Sequence, residues 1–334
     1  MSLTRNAPRI RAILSSPWFR LAARTLVGVG VLIAVVAHVG SEPFLRGLSR
    51  IDPGLIVVAL ALSAVATVAA AWRWSIIAGR LGVGLGVAEA VGRYYRSQFL
   101  NTVVPGGGVV GDIDRAVAQG RSAGNVPQAA RAVVIERTMG QIVQVALAVI
   151  VLVYLRSEFQ GVLFPVLGIG LAVLLAAALA AVAWSGRARR ALRRELDELA
   201  AGVGSPGAFL RVILASIVVV GCHAATLAVA VTAVGASVPP HRLAALTLVI
   251  LLAGSIPLNV GGWGPREGIA AWAFAGAGLG ASTGVAASAL FGVLVMIAVA
   301  PGLVLVVGSA VHRSHAHPPS HVPLLAGAER RMGS

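Results

Sequence analysis

The stretch from residue 243 to 311 constrains this chain most, because it is apolar except for one adjacent pair of opposite charges, Arg266 and Glu267. A charge at membrane depth is costly, and such residues usually face a protein interior or a wet cavity. The pair follows Pro and a cluster of Gly, which stop a helix. A bilayer tolerates a broken helix only where it lines a cavity or is buried in protein. The stretch therefore predicts a membrane chain that folds back around a polar site.

A second interruption of the same kind lies earlier, between residues 101 and 115. Both interruptions place Pro, clustered Gly and an Arg near a carboxylate inside apolar surroundings. Matching interruptions in two halves of a chain indicate the binding site of a transporter. The predicted turn residues are Pro105, Gly106, Gly107, Gly108 and Gly111 in the first interruption, and Pro257, Gly261, Gly262, Gly264 and Pro265 in the second.

The composition is that of an all-α integral membrane protein, since 57% of the 334 residues are hydrophobic and 12% are charged. A net charge of +15 suggests nucleic acid in a soluble protein, but here the basic residues lie in short segments between apolar runs. We therefore expect no nucleic-acid partner. The chain has no Lys, which excludes a P-loop lysine and argues against ATP-driven transport by this chain alone. The single Cys222 allows no internal disulfide, and we expect no cofactor and no metal site.

The apolar runs and their flanking arginines predict a topology. Clusters of Arg mark the cytoplasmic side, so both termini are expected in the cytoplasm. This positive-inside rule is met at every step only if segments 84–124 and 241–281 each enter and leave the membrane on the same side. Runs long enough to span are 22–40, 54–77, 139–155, 162–184, 208–235 and 283–311.

We therefore predict a polytopic helical bundle of about six full spans plus two re-entrant helical hairpins, which enter from opposite faces. The two halves form inverted repeats, as in secondary transporters. The competing interpretation makes every hairpin arm a full span and gives ten helices. The predicted segments are a cytoplasmic N-terminal segment 1–21, a transmembrane domain 22–311 with repeats 22–155 and 162–311, a cytoplasmic linker helix 186–201 and a disordered tail 312–334.

Two acidic residues that follow the first interruption, Asp112 and Asp114, are suited to the start of a helix. Asp112 is a suitable N-cap, and Asp114 suits the first helical turn.

Trp72, Arg73 and Trp74 lie where the second span ends, which is typical of interfacial anchors and a cytoplasmic flank.

The second turn predicts a helix that begins at Pro265, capped by Gly264. Glu267 then suits the positive end of the helix, whereas Arg266 does not. An anion between Arg266 and the exposed N–H groups would explain this Arg, since helix N-termini and guanidinium groups both bind phosphate.

A purely structural interpretation remains open for these charges. Arg266 would then pair with Glu267, or with Asp112 and Asp114, and lock the two hairpins together. Four other polar residues carry similar alternatives: Glu136 and Arg137 as a clamp or entrance at the cytoplasmic end of the third span, and Asn101 and Asn259 as headgroup contacts or partners of freed backbone groups.

Taken together, these stretches resemble the family named for the transmembrane region of lysylphosphatidylglycerol synthase, also described as flippase-like membrane proteins. The resemblance covers about residues 25–311, and no segment here reads as the soluble aminoacyl-transferase domain of the bifunctional synthases. The resemblance therefore implies that this chain corresponds to the lipid-translocating half of those synthases, with aminoacylated phospholipids or polyprenyl-linked sugars as substrates. The matching residues are Asn101, Pro105, Gly106, Gly111, Asp112 and Arg115, then Glu136 and Arg137, then Pro257, Gly261, Gly262, Gly264, Arg266 and Glu267.

These observations predict a lipid flippase of a bacterial inner membrane, which moves a phosphate-bearing headgroup between leaflets. Arg115 and Arg266 would engage the phosphate. The carboxylates would balance these arginines or contact a cationic headgroup. The sequence has no catalytic motif, so we do not expect an enzyme. Two alternatives remain: a membrane-embedded transferase acting on a lipid-linked substrate, and a non-transporting scaffold for a separate lipid-modifying synthase or glycosyltransferase.

Overall fold

The fold is known from a computed structural model. It describes residues 33–104, 108–155, 186–255 and 263–307, with a few positions in 26–30 and 160–168. This part is all-helical, as the composition predicts. The predicted N-terminal segment and the tail lie outside the described residues, as does the predicted fourth span 162–184 except for residues 164, 165 and 168.

Ten helices have defined bounds in the described part, and the numbering α1 to α10 follows the chain. The first half contains α1 (Glu42–Leu48), α2 (Pro53–Arg80), α3 (Val87–Val103), α4 (Val110–Ser122) and α5 (Val126–Tyr154). The second half contains α6 (Gly186–Val203), α7 (Pro206–Ala233), α8 (Pro240–Gly254), α9 (Pro265–Gly276) and α10 (Ala281–Ala298).

Four described helices, α2, α5, α7 and α10, are long and apolar enough to cross a membrane. The spans predicted at 54–77 and 208–235 are confirmed within about three residues by α2 and α7. Asp52 and Ser205 cap them, accepting hydrogen bonds from the N–H groups of Leu55 and Ala208. Their starts are thus fixed by side chains that sequence patterns can identify.

The other two predicted boundaries were wrong. The third span was placed at 139–155, but α5 begins at Val126 and has 29 residues. The N-terminal part of α5 contains charged residues, which lower its hydropathy and led to a predicted start that is too late. Several of these charged side chains are paired inside the protein. The last span was placed at 283–311, but α10 ends at Ala298. A new helical segment starts at Pro301 and covers 301–307, because Pro cannot donate to the preceding turn.

The first predicted hairpin is present as the antiparallel helices α3 and α4. Arg93 near the start of α3 bonds to Gln119 near the end of α4, at 2.6 Å. At the other end, Gly111 contacts the backbone of Ser97 so closely that a Cβ there would lie 1.9 Å from the carbonyl oxygen. The arms span about 26 and 20 Å, at about 1.5 Å per residue. Both are shorter than the roughly 30 Å hydrocarbon core of a bilayer.

The second predicted hairpin corresponds to α8 and α9, which also pack together. Pro265 is the first residue of α9, and Gly264 precedes it with φ +117°, a left-handed conformation that favours glycine. The predicted cap at Gly264 is thereby confirmed. These arms span about 22 and 18 Å on the same rise per residue.

The same packing between helices is found in both halves of the fold. In each half, the second hairpin arm packs on the first arm and on the long helix that follows: α4 lies against α3 and α5, and α9 lies against α8 and α10. The long helices α2 and α7 pack against each other between the halves. Gly108 in the first predicted turn and Ser255 just before the second border a cavity that is also lined by α2 and α7.

The linker predicted at 186–201 is helical and is part of α6. Its C-terminal half docks against the ends of the long helices. Glu198 accepts a hydrogen bond from Gln128 at 2.6 Å, and Arg80 donates to the carbonyl of Ala201 at 2.9 Å. Arg190, near its start, is exposed.

Candidate functional site

A cavity of about 400 Å³ lies between the two halves and is bordered by both hairpins. Its lining combines apolar side chains with several polar and charged ones. Three arginines reach it, together with amide and imidazole groups. These residues are Arg73, Arg137, Arg266, Gln98, Asn101, Gln141, Gln144 and His223.

Glu136 is the centre of a buried ionic cluster next to this cavity, and its side chain is 0% exposed. One carboxylate oxygen accepts hydrogen bonds from Arg73, with its Nε at 3.0 Å, and from the hydroxyl of Tyr94 at 3.2 Å. The other accepts from Arg115 Nη2 at 2.6 Å. Glu136 is the eleventh residue of α5, so it lies well inside the helix rather than at the cytoplasmic end that the sequence predicted.

Arg73 connects this cluster to the second half of the chain. Its Nη1 donates to the hydroxyl of Ser216 on α7 at 2.8 Å. Gly140 makes room for the guanidinium, since a Cβ there would lie 2.9 Å from Arg73 Nη1. Arg73 is 5% exposed and Trp74 is fully buried, so the interpretation of both as interfacial residues was wrong. They stand on the face of α2 that meets the other helices.

Asp112 joins the first hairpin to α5. Its Oδ1 lies 3.1 Å from Arg115 Nε and 2.9 Å from Arg137 Nη2. The side chain of Arg137 is 45% exposed, and it borders the cavity. The sequence placed Asp112 at the N-cap, but α4 begins at Val110, so Asp112 lies in the first turn and is used for pairing.

Arg115 is held away from the cavity. Its side chain is 0% exposed, and its guanidinium lies 4.9 Å from the ring centre of Trp74 and 4.6 Å from that of Tyr94. Cation–π contacts of this kind stabilise a buried guanidinium. Arg115 therefore stabilises the buried side of the cluster, whereas the side chains of Arg73 and Arg137 line the cavity.

The second cluster lies at the start of α9. Arg266 Nη2 is 2.6 Å from Glu267 Oε1, and Ser288 of α10 bonds to the same carboxylate oxygen at 3.0 Å. Glu267 Oε2 also accepts from the N–H of Gly264 at 2.7 Å. The guanidinium of Arg266 lies 5.7 Å from the ring centre of Trp263. Thus Arg266 pairs with its chain neighbour, and Asp112 pairs with Arg115 and Arg137, so each ionic cluster stays within its own half.

The remaining predicted site residues have separate positions. Asn101 accepts a hydrogen bond from the N–H of Gly111 at 2.7 Å, the backbone role the sequence left open, and also borders the cavity. Asp114 pairs with Arg96 at 2.8 Å on a partly exposed surface. The predicted site residues outside the described part are Asn259, Pro105, Gly106, Gly107, Pro257, Gly261 and Gly262.

Sequence reasoning missed several residues that build the site. Arg73 and Tyr94 bind Glu136. Ser216 binds Arg73, and Ser288 binds Arg266. For Arg73 a signal existed: it lies inside the apolar run 54–77 that was predicted as a span, where an exposed flank is not expected. For the serines no local signal existed, because Ser is common in packed helices. In the part of the chain that the structure describes, no group of His, Cys, Asp and Glu is arranged to hold a metal ion.

The four long apolar helices and the buried ionic clusters define a polytopic α-helical membrane protein. The family described as the lysylphosphatidylglycerol synthase TM region matches residues 21–302. The chain belongs to this family, which makes it a membrane protein connected with lipids. No protein of curated function matches the chain.

Proposed function

We propose that this protein is a lipid flippase of a bacterial inner membrane, which moves a phosphate-bearing lipid headgroup between the leaflets. Both termini would lie in the cytoplasm, following the arginine distribution. The observation that carries the proposal is the cavity of about 400 Å³, bordered by Arg73, Arg137 and Arg266 between two helical hairpins.

The chemistry of the lining supports a phosphate ligand. Guanidinium groups form charge-assisted and often bidentate hydrogen bonds with phosphate oxygens. The amides of Gln98, Gln141 and Gln144 add donors and acceptors suited to hydroxyl groups. The headgroup would thus exchange water for protein contacts, while its acyl chains remain among lipids.

The recurring arrangement of the two halves supports alternating access. Each half contributes a short-armed hairpin and at least one arginine to the cavity: Arg73 and Arg137 from the first half, and Arg266 from the second. The long helices α2 and α7 pack against each other between the halves. In transporters built from inverted repeats, one repeat rocks against the other around a central site. We infer the same movement here, with the two hairpins entering from opposite faces.

Reconstitution in liposomes tests the proposal. Fluorescent phosphatidylglycerol is placed in both leaflets, and a membrane-impermeant quencher reports the fraction that reaches the outer leaflet over time. We expect faster exchange with the full-length protein than with empty liposomes. Arg137→Gln should slow the exchange, whereas Arg46→Gln, which alters an exposed pair with Glu42, should leave it unchanged. Folded protein that moves neither this lipid nor a polyprenyl phosphate would contradict the proposal.

A further inference from the structure

The charges bordering the cavity are of one sign. Among the described residues, its lining includes arginines but no carboxylate. The carboxylates that pair with these arginines lie behind them, with side chains that are 0% to 11% exposed. These carboxylates are Asp112, Glu136 and Glu267.

Within the two clusters the charges do not balance. The second cluster is neutral, since Arg266 pairs with Glu267. In the first cluster of the described part, three arginines share two carboxylates, because Arg73 and Arg115 bind Glu136, while Arg115 and Arg137 bind Asp112. Arginine stays protonated in proteins, so this surplus positive charge is not lost by deprotonation. An anion in the cavity would neutralise it.

Arg137 is the arginine with room for that anion. Its side chain is 45% exposed, against 6% for Arg73, 0% for Arg115 and 7% for Arg266. Asp112 binds Nη2 of Arg137 and leaves nearly half of the side-chain surface accessible. The Asp112 carboxylate would share this guanidinium with a ligand phosphate.

We propose that the cavity selects lipid headgroups with a net negative charge at a phosphate group, contacted by Arg137, and rejects headgroups that carry a cationic amine. The amine of an aminoacylated headgroup would meet guanidinium groups and reach no carboxylate in the described lining, so repulsion would oppose its entry. The inference rests on the proposed function and narrows its substrate. Anionic phospholipids and polyprenyl phosphates fit this site, whereas aminoacylated phosphatidylglycerol does not.

Binding measurements on the full-length protein in a neutral detergent test the selectivity. The probes are dihexanoyl phosphatidylglycerol, its lysyl ester, dihexanoyl phosphatidylcholine and inorganic phosphate, each titrated by calorimetry. We expect phosphatidylglycerol to bind at least about tenfold more tightly than the lysyl ester, the ratio that corresponds to one charge-assisted hydrogen bond. Inorganic phosphate should bind more weakly than phosphatidylglycerol, because it lacks the glycerol and acyl contacts.

Three variants locate the contact. Arg137→Gln should reduce phosphatidylglycerol affinity about tenfold and abolish the discrimination against the lysyl ester. Asp112→Asn should raise the affinity, because it frees Arg137 and increases the surplus charge. Arg46→Gln alters an exposed ion pair outside the cavity and should change neither. If a cavity variant fails to fold, the comparison of lipids on the unmodified protein decides the question alone.

Several results would overturn the inference. If the lysyl ester binds as tightly as phosphatidylglycerol or more tightly, the proposed selectivity is refuted. If inorganic phosphate binds as tightly as phosphatidylglycerol, the proposal that the ligand is a lipid is refuted. The liposome assay distinguishes a wrong prediction of selectivity from a wrong prediction of flippase activity. Rapid exchange of the lysyl ester would keep the flippase and refute the selectivity, whereas selective binding without any lipid exchange would keep the selectivity and refute the flippase.

Discussion

Arg115 Nη2 lies 2.6 Å from Glu136 Oε2, and neither side chain has accessible surface. The pair links the first hairpin to α5 in the interior of the protein. Arg73 reaches the same carboxylate from α2. Tyr94 on α3 also donates to it, so one acidic side chain joins four helices, and removal of its charge should affect all of them.

Glu136→Gln should strongly destabilise the protein. The substitution leaves Arg73 and Arg115 buried without their shared counter-charge, a loss of about 3–5 kcal/mol for a broken buried pair. Thermal unfolding in detergent should show a clearly lower midpoint. The matched control is Glu42→Gln, whose side chain is 71% exposed and pairs with Arg46. It should change stability by about 1 kcal/mol or less. Equal effects of the two substitutions would contradict the central role of Glu136.

Gly111→Ala should separate the arms of the first hairpin. A Cβ at this position would lie 1.9 Å from the carbonyl oxygen of Ser97, so the backbone itself must move. Overpacking of this kind costs about 1–3 kcal/mol, and the shift should also weaken the hydrogen bond from Gly111 to Asn101.

Gly92→Ala in the same hairpin is its control. A Cβ on Gly92 meets no atom within 4 Å, and Ala is favoured over Gly inside a helix by about 0.5–1 kcal/mol. This variant should unfold at an equal or higher temperature. If Gly111→Ala were as stable as Gly92→Ala, the close approach of α3 and α4 would be refuted.

Gly292→Ala should act on the cavity rather than on the fold. A Cβ here would lie 2.4 Å from Arg266 Nη2, the far end of a flexible side chain that can move aside. We expect a small change in thermal stability but about tenfold slower lipid exchange, the effect of one weakened charge-assisted hydrogen bond. Gly221→Ala, where a Cβ has open space, should retain the normal rate. An unchanged rate for Gly292→Ala would show that the position of Arg266 is not important for transport.

Cysteine labelling should distinguish re-entrant hairpins from full spans. In a Cys222→Ser background, Val109→Cys and Trp263→Cys lie at the two turns, whereas Ala123→Cys and Ala275→Cys lie near the outer ends of α4 and α9. A bulky, membrane-impermeant maleimide should label position 123 from the cytoplasmic side and position 275 from the outer side.

The positions at the two turns should react slowly from both sides, since the arms are too short to cross the bilayer. Rapid labelling of position 109 from outside, or of position 263 from the cytoplasm, would instead support ten full spans.

Local chemistry made much of the fold predictable from the sequence. The long apolar helices α2 and α7 follow from composition and from the caps Asp52 and Ser205. The start of α9 follows from Gly264 and Pro265, and the adjacency of Arg266 and Glu267 in the chain already allows them to pair. These features depend on residues a few positions apart, so a pattern search detects them.

The pairing of charges that are distant in the chain depends on how the helices pack. Arg73 and Glu136 are 63 positions apart, and Asp112 and Arg137 are 25 apart, so no local spacing connects them. The choice depends on which helix faces pack together, and close approaches such as Gly140 against Arg73 fix those faces. The order of residues already requires that a few charges be buried within an apolar protein, because a bilayer does not solvate them. Packing determined that Arg115 is enclosed by aromatic rings while Arg137 remains open to the cavity.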